Sequence, residues 1–161
     1  MDNIYIIKTS SSVNYQEIDF NSNVSVILNP YDLIKGKISN FAALPNNWDG
    51  YGGITPLESI CEKALTFVHM LNSTYIDYIT DIFPNPNGTL TIDWENFKNE
   101  KISLEIGENN FSFFVKYIDK EPKFINGEED IIQGFKTLTE ELGELFGENI
   151  FNFIPWWWKN S

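Results

Sequence analysis

The chain has 161 residues, 42% of them hydrophobic and 16% aromatic, which excludes a disordered segment and fits one domain with a packed core. It carries 23 acidic residues against 11 lysines, no arginine, and a formal net charge of -12. An acidic chain without guanidinium forks holds phosphates poorly, so direct nucleic-acid binding is not expected.

From the N-terminus, residues 4–8 read as a strand and residues 24–28 as a better one, with a polar loop over 9–23 between them. Asn29-Pro30 opens a helix that runs to about Leu44, because proline suits the first helical turn. Leu33, Ile34, Ile38, Phe41 and Ala42 share one side of it, and Pro45 ends it. The loop Asn46-Asn47-Trp48-Asp49-Gly50-Tyr51-Gly52-Gly53 then puts three glycines, two large aromatics and a carboxylate in eight residues. Thr55-Pro56-Leu57-Glu58 matches a capping box with Pro56 at the first helical position. The helix it predicts reaches about Leu71, with Leu57, Ile60, Cys61, Ala64, Leu65, Phe67, Val68 and Leu71 on one stripe.

From Tyr75 the pattern changes to strands. Residues 78–83, 89–94, 101–106 and 111–118 alternate or run apolar, and turns at 84–88, 95–100 and 107–110 separate them. Leu90, Ile92 and Trp94 face one side, so the sheet has one packed face and one wet face. A last helix spans 128–146 and Gly147 stops it. The expected fold is a single α+β domain over residues 1–161. An antiparallel β-meander of about four to five strands carries two to three packed helices, and residues 149–161 form an aromatic tail.

The chemistry on offer is sparse. Cys61 and His69 are the only thiol and the only imidazole. On one helix they stand about 12 Å apart at ~1.5 Å per residue, too far for a dyad. Cys61 reads as core and His69 as a boundary residue. Two such ligands do not make a structural zinc site, no calcium-loop spacing occurs, and the glycine loop lacks the phosphate-loop spacing and lysine. No metal, cofactor or catalytic set is expected. Asp93 and Glu95 share the wet face, where a carboxylate pair of glycosidase type or a plain solvated surface are the two readings. Asp49 reads as the cap of its own loop or as a hydrogen-bonding ligand group. Trp156, Trp157 and Trp158 cannot all face one core; they read either as a strap packed by this chain or as an anchor for a partner. No apolar run reaches the ~20 residues of a membrane span. The short N-terminal apolar stretch carries an acid, and a lone cysteine suits a reducing compartment, so the expected location is the cytoplasm with no membrane partner.

Asn47-Trp48-Asp49-Gly50-Tyr51-Gly52-Gly53 with Pro56 resembles a motif of small uncharacterised bacterial proteins, Asn-Trp-Asp-Gly-x-Gly-x-x-x-Pro before a helix. In those proteins a Pro-x-x-Gly turn and a strand ending in an acid–Trp pair follow. Here that second element is Pro86-Asn87-Gly88 through Asp93-Trp94, and the likeness covers about residues 44–106. Gly53 stands where alanine is common, and Asp93 where glutamate is common. The resemblance implies no established activity. It implies a partner role, since such proteins occur with mobile elements and with defence or toxin modules.

The leading expectation is a non-catalytic protein-binding subunit: an acidic immunity, antitoxin or phage-defence accessory protein with a basic protein partner. Its contact residues would be Trp48, Asp49, Tyr51, Trp156, Trp157 and Trp158. One alternative is a small-molecule or nucleotide-binding domain using the Trp48-Asp49-Tyr51 loop. Another is a nucleic-acid mimic built on the acidic helix over 128–144.

Overall fold

A computed structural model describes residues 6–7, 25–26, 29–127 and 131–147. The expected loop over 9–23, the acids at 128–130 and the tail with Trp156, Trp157 and Trp158 lie outside the described residues. Strands β1 (Ile6–Ile7) and β2 (Ser25–Val26) pair in parallel, inside the two segments whose apolar runs predict strands.

Helix α1 (Pro30–Phe41) starts as the sequence predicts. The Asn29 side chain accepts the Tyr31 N–H at 3.1 Å, and Pro30 fills the first position, where an amide would go unpaired. It ends three residues early. Ala43 and Leu44 donate to the Asn40 and Phe41 carbonyls, a tighter turn that closes the helix ahead of Pro45. Ile38 is buried, whereas Leu33 is 54% exposed, so the expected apolar side is narrower than the sequence suggests.

Helix α2 (Glu58–Met70) buries Ile60, Cys61, Ala64, Phe67 and Val68, as the 3.6-residue stripe requires. Its expected capping box does not form. Leu57 is the N-cap without a side-chain bond, and Pro56 is buried outside the helix. The Thr55 hydroxyl donates instead to the Leu44 carbonyl at 3.0 Å, drawing the end of the glycine loop back onto its beginning. A tertiary bond has taken the group that the local motif would have used. A short helix α3 (Ser73–Asp77), capped by Asn72, precedes the sheet where a strand is expected from Tyr75.

The main sheet is a five-stranded antiparallel meander in chain order: β3 (Ile79–Pro84), β4 (Leu90–Glu95), β5 (Lys101–Ile106), β6 (Phe111–Lys116) and β7 (Lys123–Gly127). Its register lines up apolar rows on one face. Ile82, Ile92, Leu104, Phe113 and Ile125 cross the strands in one row, and Trp94, Ile102 and Val115 make the next. Helix α2 packs on β4 and β5, while α4 (Ile131–Phe146) packs on β5 and β6; α1 lies beside α2 and along β3. Phe135, Leu138, Leu142 and Leu145 complete the core from α4. Trp94 is fully buried and its indole donates to the Tyr75 carbonyl at 2.9 Å, so its one polar atom is satisfied. Gly134 lets α4 approach this closely, because a Cβ there would collide with the Phe111 ring. Gly147, at φ 70, ends α4 as expected. Among the described residues no helix is long and apolar enough to cross a membrane.

Candidate functional site

The glycine loop is a self-bonded corner. Asn47, Gly50 and Gly52 have φ of 61, 77 and 95, which bends the chain back on itself. Asp49 Oδ1 accepts the Tyr51 and Gly53 amides, each at 2.8 Å. Those two amides, Tyr51 foremost, hold the Asp49 carboxyl below the usual carboxylate range. Asn47 accepts the Gly52 amide at 2.6 Å, and the Trp48 indole donates to the Ile54 carbonyl at 3.2 Å. Beyond the corner, the Ile54 amide donates to the Pro86 carbonyl at 2.9 Å, and Gly88 lies against the Ile54 side chain. The two halves of the sequence motif, 47–56 and 86–94, therefore meet in space. Tyr51 stands at the tip of the corner, 96% exposed.

The other candidate carboxylates are tied down. Asp93 is only 6% exposed although it lies on the face away from the helices. Its Oδ2 pairs with Lys101 Nζ at 2.6 Å, and its Oδ1 accepts from the Ser103 hydroxyl. Glu95, two residues on, is exposed at the strand end. Both Asp93 oxygens are thus engaged by neighbouring side chains, and the face is not simply wet. Cys61 is buried, and that burial pushes its thiol up, so it stays protonated and unreactive near neutrality. His69 is exposed, with its ring set edge-on to Tyr31 at 5.9 Å. Among the described residues, no group of three or more His, Cys, Asp or Glu is placed to hold a metal ion.

The outward face of the sheet carries what tracing the apolar stripes alone leaves unread. Register puts Phe83, Thr91, Glu105, Ser112 and Asn126 in one row across it, and Asp81, Asp93, Ser103, Phe114 and Phe124 in the next. Phe114 and Phe124 stand opposite each other with ring centroids 4.8 Å apart, and Phe124 is 77% exposed. Between this pair and Phe83 lies a groove of about 310 Å³ with Thr91, Ser103, Glu105 and Ser112 among its lining residues. The β3–β4 turn braces one end. Asn85 donates to the Thr89 and Thr91 hydroxyls at 2.9 and 2.8 Å, and the Thr89 hydroxyl donates to Glu105 Oε1 at 2.6 Å. The signal was present in the sequence: Phe114 is out of phase with Phe111, Phe113 and Val115, which point inward. Comparison of the chain with protein-family models, curated proteins and solved structures finds no match.

Proposed function

We propose that this protein is a non-catalytic protein-binding subunit, of the acidic immunity, antitoxin or defence-accessory kind, and that the outward sheet face is its docking surface. The observation that carries this reading is the exposed Phe124, set against the half-buried Phe114 beside a groove, on the face that α2 and α4 leave uncovered. Large exposed aromatics next to a concave surface supply contact area at small entropic cost. Charge argues for a basic partner. The groove is lined by one carboxylate, Glu105, and by no lysine, in a chain of net charge -12.

The alternatives draw less support. In a ligand-binding loop, Trp48 and Asp49 would present their polar atoms outward, but the Trp48 indole and Asp49 Oδ1 are spent on the loop's own backbone. In a nucleic-acid mimic the helix carboxylates would be bare, yet Glu141 and Glu144 are paired with Lys123 and Lys120.

Co-purification from the native operon, followed by light scattering, tests the docking face. The wild type is expected to elute as a complex and the Phe124→Ser variant as a folded monomer. Equal complex formation by both, with circular dichroism unchanged, would exclude this face.

A further inference from the structure

We infer that the groove on the outward face receives a cationic side chain, an arginine or lysine of the partner, laid along Phe114 and ending on Glu105. The inference rests on the docking-face reading and names the chemistry recognised there. Glu105 sits on the central strand β5, opposite Thr91 on one side and Ser112 on the other. Its Oε1 is held by the Thr89 hydroxyl at 2.6 Å and the Asn87 amide at 3.3 Å. Among the described residues nothing donates to its Oε2. The carboxylate is thus fixed in direction with one oxygen left to accept, the arrangement that makes a charge-assisted bond geometrically selective.

The surroundings suit the rest of such a side chain. Phe114 is the diagonal neighbour of Glu105 on the same face, at a spacing of about 7–8 Å for such pairs. That separation matches an aliphatic stem resting on the ring while its charged head reaches the carboxylate. Phe124 extends the aromatic wall. The Ser112 hydroxyl, opposite Glu105 in the same row, tolerates a polar head. The carboxylates of the next row, Asp93 and Asp81, do not compete, because Lys101 and Ser103 already occupy the first and Lys37 pairs with the second at 2.8 Å. A partner segment bringing an acid here would meet Glu105 unscreened by any lining lysine.

The test is a titration of the full chain, followed by backbone amide chemical shifts, with three six-residue peptides. Valine alternates with arginine in the first, with lysine in the second and with glutamate in the third. The two basic peptides should shift residues 91, 103–105, 112–114 and 124–126, and the glutamate peptide should shift none of them. Glu105→Gln keeps an oxygen for Thr89 and Asn87 but removes the charge. It should weaken the basic peptides about tenfold, roughly 1.4 kcal/mol, while Glu62→Gln on the exposed side of α2 should change nothing. Equal binding of basic and acidic peptides, shifts elsewhere, or indifference to Glu105→Gln would overturn the inference. So would the same shifts produced by deleting residues 149–161 alone, which would make the chain's own tail the occupant. The two readings separate in co-purification. A complex lost by Phe124→Ser but kept by Glu105→Gln leaves the docking face standing and removes the cationic pocket. A complex kept by both removes the docking face as well.

Discussion

Asp49 shows how a residue that looks like a ligand group can be a fastening. Its Oδ1 collects two backbone amides across a reversal made by residues with positive φ, and a Cβ on Gly53 would sit 2.8 Å from its carboxyl carbon. Asp49→Ala is therefore expected to lower the melting temperature by several degrees and leave partner binding at the sheet face intact. Because the folded state holds this carboxyl low, its contribution is full above the ordinary carboxylate range and fades as pH falls below about 4. The wild type should lose stability over that acidic window faster than Asp49→Ala, as measured by urea denaturation at stepped pH. Tyr117 gives the opposite sign. Burial, and then its hydrogen bond to Glu141, raise its hydroxyl well above the usual tyrosine value. Its contribution is full below about pH 10, where the unfolded chain still keeps the proton, and is lost as pH rises further. Tyr117→Phe should flatten the alkaline limb of the same stability curve. The role of Asp49 was legible as one of two readings. That of Tyr117 was not, because its partner Glu141 lies 24 residues away on α4 and no local pattern joins them.

At the scale of elements, periodicity read well wherever burial alone decides. The β4 alternation put Leu90, Ile92 and Trp94 inward, and all three are fully buried; on α2 the stripe held for Ile60, Cys61, Ala64, Phe67, Val68 and Leu71, while Leu65 is half-buried and Leu57 exposed. It failed where a long-range bond competes with a local motif. Thr55 caps nothing, because its hydroxyl is taken by Leu44, and α2 begins on an uncapped Leu57 that is 51% exposed. Leu57→Ser should therefore stabilise the fold by about 0.5–1 kcal/mol through a new N-cap bond, read from thermal melts. Short elements also escaped the pattern. Helix α3 has five residues, less than two turns. Strand β7 follows Pro122 and turns Lys123 rather than an apolar residue toward α4, where Lys123 pairs with Glu141 at 2.8 Å. An inward lysine breaks the alternation that would have announced the strand.

For the molecule as a whole, the layering follows from the apolar rows: one sheet face is filled by α2 and α4 and the other keeps its own side chains for company. What the sequence could not convey is that the outward face is neither bare nor merely solvated. Thr91 and Asp93 are buried on it by neighbouring side chains, while Phe124 beside them stays exposed. Under the proposed docking reading, the net charge of -12 would favour a basic partner, and the register brings the aromatic wall and Glu105 together. Hydrogen exchange, with and without a protein captured by co-purification from the native operon, is the most direct test of the proposed docking face. Binding should slow exchange at residues 91–93, 103–105, 112–114 and 124–126 and leave residues 48–53 unchanged. Protection confined to 48–53, or to none of these segments, would contradict the assignment of the sheet face as the docking surface.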